Sequence, residues 1–302
     1  MSRQAAPRRL VVVAPGPLTT VQDLGRFGHL AVGVGRAGAA DVASHLLGAR
    51  LLGNADGAAS LEVTLGGLRL RAERDVLLCL TGAPAPAAVG GAPRPHAAPF
   101  VLHDGQELAL AMPPRGLRTY VSVRGGIDAP LVLGSRSTDT MSGLGPPPLR
   151  AGDVLTVGGE TDRFPHVEVA ALRPPDDQRG SNGDETGVVT LAVLPGPRRD
   201  WFASPEDLAD RPWTVSIRSD RKGIRLEGTP LVRADGWLDA ELPSEGMVRG
   251  AIQVPPNGQP VLFLNDHPVT GGYPVVGVVR TADVDRAAQL RPGQSVRLRW
   301  VS

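Results

Sequence analysis

Short runs that alternate apolar and polar residues, each cut by a glycine pair or an Asp-Gly step, limit most strongly what this chain can fold into. Leu61-Glu62-Val63-Thr64-Leu65 alternates, Gly66-Gly67 turns, and Leu68-Arg69-Leu70 takes the alternation up again. A period of two on both sides of a turn predicts a β-hairpin. Phe100 to Leu110 repeats the arrangement around Asp104-Gly105, and Leu117–Val123 and Val261–Leu264 are expected to be further strands. The 302 residues hold 38 glycines and 29 prolines but only 4% aromatics, a composition suited to many short elements joined by tight turns. Helices are expected to be few. Asp41 can cap a segment carrying Val42, Leu46, Leu47 and Leu51 that stops at Gly53-Asn54, Thr281 can cap another that stops before Pro292-Gly293, and a third can start at Ser204-Pro205. The expected class is mostly β, with two barrel-like domains and a few short helices.

The length favours two domains. Residues 160–187 include the polar, Gly/Pro-rich run Arg173 to Glu185, which has too little apolar surface to fold alone, and they are expected to be a linker between domains at 10–159 and 188–302. The flanks rhyme. Val11-Val12-Val13-Ala14-Pro15-Gly16-Pro17 opens one half, and Leu191-Ala192-Val193-Leu194-Pro195-Gly196-Pro197 opens the other. Leu149-Arg150-Ala151-Gly152 and Leu290-Arg291-Pro292-Gly293 precede the last strand of each half, so an internal duplication is the preferred reading.

A formal net charge of +1 provides no field for nucleic acid or an anionic membrane, and neither is expected as a partner. The basic residues are almost all arginine, with Lys222 the sole lysine. The one cysteine, Cys79, sits in an apolar run as a small buried thiol would, and no internal disulfide can form. The apolar run Leu10 to Ala14 is too short for a signal peptide or a membrane span, so a cytoplasmic protein is expected. Lys222 is followed by Gly223, outside any P-loop pattern. The six histidines never pair at metal-binding spacing and no Gly-x-Ser-x-Gly elbow is present, so neither a structural metal nor a conventional hydrolase triad is expected.

Four stretches carry polar chemistry. Thr19 to Arg26, followed by Gly33 to Asp41, sets Gln22, Asp23, Arg26, Arg36 and Asp41 among glycines that let a ligand approach the backbone; a turn-rich loop that ties down its own backbone is the alternative. Leu133 to Thr138 places Arg136 among the hydroxyls of Ser135, Ser137 and Thr138, equipment for gripping a carboxylate or phosphate, or else a capped loop with an exposed arginine. Ser219 to Leu226 offers Asp220 and Arg221, which alone would be a solvated turn. The stretch from Ser244 through Pro274 sets Gln253, Asp266, His267 and Thr270 at the ends of an apolar strand, as a pocket built on strand ends requires.

Thr-Thr-Val-Gln-Asp-x-Gly-Arg at 19–26, Gly-Ser-Arg-Ser-Thr at 134–138, Ser-Asp-Arg-x-Gly-x-Arg-Leu at 219–226, Gly-x-Ile-Gln-Val-Pro-Pro-x-Gly-x-Pro at 250–260 and Thr-Gly-Gly-Tyr-Pro at 270–274 together resemble the family of the 5-oxoprolinase C subunit. This family is also called KipA or allophanate hydrolase subunit 2 and is similar to the carboxyltransferase region of urea amidolyase. The resemblance runs from about Pro15 to Ser302, apart from the linker, and implies two tandem cyclophilin-like β-barrels. It also implies two partners, the B and A subunits of the enzyme, with which the chain opens 5-oxo-L-proline to L-glutamate with hydrolysis of ATP, magnesium being the counter-ion. On that footing Gln22, Asp23, Asp266 and His267 are the expected catalytic residues. Arg26, Arg136 and Arg221 are expected to hold phosphate or carboxylate, and Arg36, Asp41, Ser135, Ser137, Asp220, Glu245 and Gln253 to join them in binding, as do Thr270, Gly271, Gly272 and Tyr273. The family's Gly-Val-Pro-x-Ser-Gly-Ala-Met-Asp reads Gly35 for Pro, Ala37 for Ser and Ala40 for Met here, and His267 stands where arginine is common. Two other functions stay open: a biotin-dependent carboxyltransferase acting on urea or a related amide, with no biotin attached to this chain, and a non-catalytic KipA-like regulatory partner.

Overall fold

The computed structural model describes residues 7–159, 161, 165, 169–170, 188–238 and 240–302. The linker expected over 160–187 lies outside them, apart from residues 161, 165, 169 and 170. The chain divides into two units, one drawn from 1–27, 37–139 and 143–172 and the other from 28–36, 140–142 and 173–302. The mostly β class is what the structure shows. No helix among the described residues is long and apolar enough to cross a membrane.

The first unit contains β1 (Arg9–Pro15), β2 (Leu18–Gln22), α1 (Val42–Leu51), β3 (Ser60–Thr64), β4 (Leu68–Glu73), β5 (Val76–Gly82), β6 (Ala87–Val89), β7 (Ala92–Arg94), β8 (Phe100–Leu102), β9 (Glu107–Leu110), β10 (Arg118–Val123) and β11 (Val154–Thr156). They form a six-stranded sheet ordered β11-β1-β4-β9-β6-β7 and a five-stranded sheet ordered β2-β3-β10-β5-β8. Leu10, Val12, Leu68, Leu70 and Leu108 from the first sheet pack with Leu61, Val63, Leu78, Leu80, Val121 and Val123 from the second in one core cluster. Neither expected hairpin is one. β3 and β4 lie in different sheets, as do β8 and β9, so Gly66-Gly67 and Asp104-Gly105 mark corners where the chain changes sheet. The corner at 65–67 needs three successive positive φ values, at Leu65 (59°), Gly66 (72°) and Gly67 (76°), a geometry that favours glycine.

The second unit contains β12 (Val189–Pro195), α2 (Asp207–Asp210), β13 (Trp213–Val215), β14 (Gly223–Glu227), β15 (Glu245–Gly246), β16 (Ala251–Gln253), β17 (Val261–Phe263), β18 (Thr270–Gly271), β19 (Val275–Val279), α3 (Thr281–Ala287) and β20 (Ser295–Trp300). Seven of these strands close a barrel in the order β12-β19-β16-β17-β14-β13-β20, and β15 and β18 form a separate ribbon. The sequence echo places β1 beside β11 and β12 beside β20, but the first pair is antiparallel and the second parallel. The echo therefore does not extend to strand direction.

Asp41 caps α1 as expected, accepting from the Ser44 N–H at 3.0 Å and the Ser44 hydroxyl at 2.7 Å. Thr281 is not a cap: it is the first residue of α3, and the residue before it, Arg280, makes no side-chain cap. The helix expected at Ser204-Pro205 begins at Asp207 and lasts one turn.

Candidate functional site

The five-stranded sheet of the first unit has a second face, and it is polar. Leu61, Val63, Val121 and Val123 turn to the core, so strand alternation sends Ser60, Glu62, Arg118, Tyr120 and Ser122 to the opposite side. All five are buried. Thr20, Glu62, Tyr120 and Thr81 sit in one register row across β2, β3, β10 and β5. The Tyr120 hydroxyl donates to Glu62 Oε2 at 2.7 Å and accepts from the Asp41 N–H at 2.8 Å. Glu62 Oε2 also accepts the Ala40 N–H at 2.9 Å, and Arg118 Nε lies 3.3 Å from Glu62 Oε1. The loop entering α1 is thus pinned from below by a carboxylate and a phenol. Burial, with the nearby charges of Glu62 and Asp41, pushes the Tyr120 pKa well up, so its hydroxyl stays protonated. His45 on α1 is buried against Ser60 and the Asp56 carbonyl, and burial lowers its pKa.

Next to this layer, Asp23 gathers the Ser-Arg-Ser run. Its Oδ1 accepts from the Ser135 hydroxyl (2.6 Å), the Ser137 hydroxyl (2.5 Å) and the Gly25 N–H (2.8 Å), and its Oδ2 accepts the Arg136 N–H (2.6 Å). The hydroxyls of the run serve this internal carboxylate, and the Arg136 guanidinium pairs with Asp128 at 2.9 Å. Arg26 is 2% exposed and donates to the carbonyls of Val132 (3.2 Å) and Ser137 (2.5 Å). Gly145, at φ 81°, passes so close that a Cβ there would lie 2.6 Å from Arg26 Nη2. Gln22 donates to Thr20 Oγ1 and to the Thr138 carbonyl, each at 3.0 Å. Gln22 Oε1 and Arg26 Nη1 have no hydrogen-bond partner among the described residues.

Burial alone would raise the Asp23 pKa. The hydrogen bonds from Ser135, Ser137, the Arg136 N–H and the Gly25 N–H outweigh it, so the folded value lies below the usual 3.8. A depressed carboxylate contributes stability that is present above its unfolded pKa and lost as pH falls through the folded value. The wild-type chain is accordingly expected to lose stability steeply below about pH 4. Asp23→Asn should be about 1–3 kcal/mol less stable at pH 7, with a shallower acid slope. Urea midpoints measured from pH 7 to pH 3 check this, and parallel slopes would remove Asp23 as the source.

In the second unit the end of β17 leads into Asn265-Asp266-His267, and each of the three side chains takes a different partner. Asp266 forms a two-point pair with Arg221, Nε to Oδ2 at 3.0 Å and Nη2 to Oδ1 at 3.1 Å, and both side chains are at most 2% exposed. The Thr140 N–H (3.0 Å) and hydroxyl (2.6 Å) also donate to Asp266 Oδ2. Asn265 Oδ1 accepts from Arg249 Nε at 2.7 Å, and Arg249 Nη2 reaches Asp285 at 2.5 Å. His267 Nδ1 lies 2.8 Å from the Pro268 carbonyl. A carbonyl only accepts, so Nδ1 carries the proton and Nε2 is left as the basic nitrogen. Burial lowers the His267 pKa and the charge of Arg249 lowers it further, against the Pro268 carbonyl and Asp266, so the ring is neutral. It stacks on Phe263 with centroids 6.0 Å apart.

The other expected site residues do more local work. Asp220 accepts the Lys222 N–H at 2.8 Å and the Gly223 N–H at 3.2 Å, closing the turn before β14. Glu245 pairs with Arg198. Thr270 and Gly271 form β18 against Glu245 and Gly246, with Gly272 next in the chain, and Gln253 donates to the Tyr273 carbonyl at 3.1 Å. Arg36 belongs to the second unit, with Gly35 placed so that an added Cβ would lie 3.5 Å from the His267 carbonyl oxygen. Sequence reasoning missed Glu62, Arg118 and Tyr120 because alternation reads their side as solvent. It also gave no role to Arg249 and Asn265, although Asn265 adjoins Asp266 and His267 in the stretch it singled out.

A mostly β chain with a closed barrel and these five ordered motifs is a carboxyltransferase-domain protein: it belongs to the family described as carboxyltransferase domain, subdomain A and B, which matches residues 32–300. Within that family the chain is 36% identical over 292 residues to the C subunit of 5-oxoprolinase from Escherichia coli (strain K12), covering 95% of this chain and 89% of the relative. Among solved structures it is similar to TTHA0988, with a TM-score of 0.85 and 31% identity over 97% of this chain, and to the Kluyveromyces lactis urea amidolyase, with 0.86 and 30% over 98%. It spans 56% of the TTHA0988 chain and 19% of the amidolyase.

Proposed function

We propose that this chain is the C subunit of a cytoplasmic, hetero-oligomeric, ATP-dependent 5-oxoprolinase that opens 5-oxo-L-proline to L-glutamate, active only with its B and A partners. The observation that carries this reading is the 36% identity to the E. coli 5-oxoprolinase C subunit over nearly the whole of both chains. A five-membered lactam is a stable amide, so its carbonyl must be polarised and a nucleophile delivered to it. His267, neutral with a basic Nε2, suits the removal of a proton from that nucleophile.

The expected phosphate grip is not what supports the reading. Arg26 is tied to backbone carbonyls, Arg136 to Asp128 and Arg221 to Asp266. Among the described residues no group of three or more His, Cys, Asp or Glu side chains is set to hold a metal ion. Paired in this way, these residues do not make a nucleotide cradle.

The test is to co-purify the chain with a homologue of the B subunit, add the A subunit, and follow glutamate and ADP from 5-oxoproline, ATP and magnesium. Equimolar production of both is expected. A well-formed complex that makes no glutamate would overturn the reading. The likeness to urea amidolyase, 31% over 96% of this chain for the Lachancea kluyveri protein, favours a second reading, a carboxyltransferase component for urea or a related amide. Carboxylation of urea by the chain supplied with a biotin carboxylase and biotin carrier would establish it.

A further inference from the structure

β17 ends at Phe263, and the backbone on both sides of that residue is fixed. Its carbonyl accepts the Gly250 N–H at 2.9 Å, and the next N–H, from Leu264, reaches the Lys222 carbonyl at 2.9 Å. The Phe263 side chain is buried in one cluster with Met247, Ala251 and Val275. Opposite it on β14 stands Gly223, where an added Cβ would lie 3.4 Å from Phe263 Cδ1, which puts the edge of the ring over the glycine. The ring stacks on the His267 imidazole, with centroids 6.0 Å and planes 27° apart. The imidazole is therefore held at two places: Nδ1–H donates to the Pro268 carbonyl at 2.8 Å, and one face rests on Phe263. A hydrogen bond at one ring atom leaves the plane free to rock about the Nδ1···O line, and a flanking aromatic face removes that freedom. Nε2 makes no hydrogen bond to a described residue, and in the neutral ring it carries a lone pair.

We infer that Phe263 is a positioning residue: it fixes the plane of the His267 ring, so that Nε2 faces the nucleophile in one direction while Nδ1–H stays on the Pro268 carbonyl. The inference rests on the lactam-opening reading above and names the group that orients the base of that site. A base must lie within hydrogen-bond reach of the proton it removes, and a displacement of about 1 Å can cost about 100-fold in rate. Leucine at 263 would keep an apolar side chain in the cluster with Met247 and Val275, but it has no flat face to offer the imidazole.

The tautomer is read by nitrogen NMR of the imidazoles in the full chain at neutral pH, with His267→Gln identifying the signals. In the wild type a single tautomer with the proton on Nδ1 is expected. Phe263→Leu is expected to bring in the tautomer protonated on Nε2 and, in the assembled complex, to lower kcat for 5-oxoproline about 10-fold with KM unchanged. Phe263→Tyr, which keeps the face, is expected to restore the single tautomer and most of kcat. Wild-type tautomer or wild-type kcat in Phe263→Leu overturns the inference. So does a wild-type His267 that already populates both tautomers, a result that needs no variant to fold. If the wild-type complex opens no lactam, the function reading falls and the tautomer decides alone: its loss in Phe263→Leu keeps the orienting contact, and its persistence removes it.

Discussion

Asp266→Ala is expected to destabilise the second unit by about 3–5 kcal/mol, because it leaves the Arg221 guanidinium buried without its carboxylate. Removing the side chain also strips the acceptor from the Thr140 N–H and hydroxyl. The four tryptophans, Trp201, Trp213, Trp237 and Trp300, all lie in the second unit, so fluorescence during urea unfolding reports on that unit. The expected result is a large fall in midpoint at constant slope. A double replacement, Arg221→Met with Asp266→Leu, should recover most of the loss, since apolar side chains of similar volume carry no desolvation penalty. A drop below about 1 kcal/mol in Asp266→Ala would mean that water reaches the pair.

Glu62→Leu should have an effect of similar size in the first unit, about 3–5 kcal/mol, for a related reason. Glu62 is 1% exposed and lies against Arg118, 3% exposed. It also accepts from the Tyr120 hydroxyl and the Ala40 N–H, so its loss frees the loop that leads into α1. Tyr120→Phe removes one hydroxyl and keeps the ion pair, and should lower stability by about 1–2 kcal/mol. Hydrogen exchange at the amides of residues 40–48 separates the two variants. Glu62→Leu is expected to expose them through local opening, and protection equal to wild type would show that the carboxylate does not hold the loop.

The candidate site was legible in part. The motif at 134–138 was visible and so was its capacity to bind an anion, but the anion is Asp23 of the same chain. Residue 136 contributes its backbone N–H to that carboxylate, and its guanidinium goes elsewhere. Residue types show what a loop can bind; only the folded chain brings a carboxylate from 112 to 114 positions away. Asp266 and His267 were also singled out, and the structure gives them different partners. Asp266 is consumed by Arg221 and Thr140, whereas His267 keeps a basic nitrogen.

By itself the sequence determined what depends on near neighbours: the alternation that makes β3 and β10, the Asp41 cap three residues from its partner, the apolar setting that buries Cys79 and pushes its thiol up to about 12. Tertiary structure alone decided which strand each turn delivers the chain to. Gly66-Gly67 has the composition of a hairpin turn, and β4 nevertheless pairs with β1 and β9 in the other sheet. It also decided which polar side chains face water, because period two sets the side of the sheet but not what covers it. Glu62 and Tyr120 point away from the apolar core, as their positions require, and the loop before α1 closes over them.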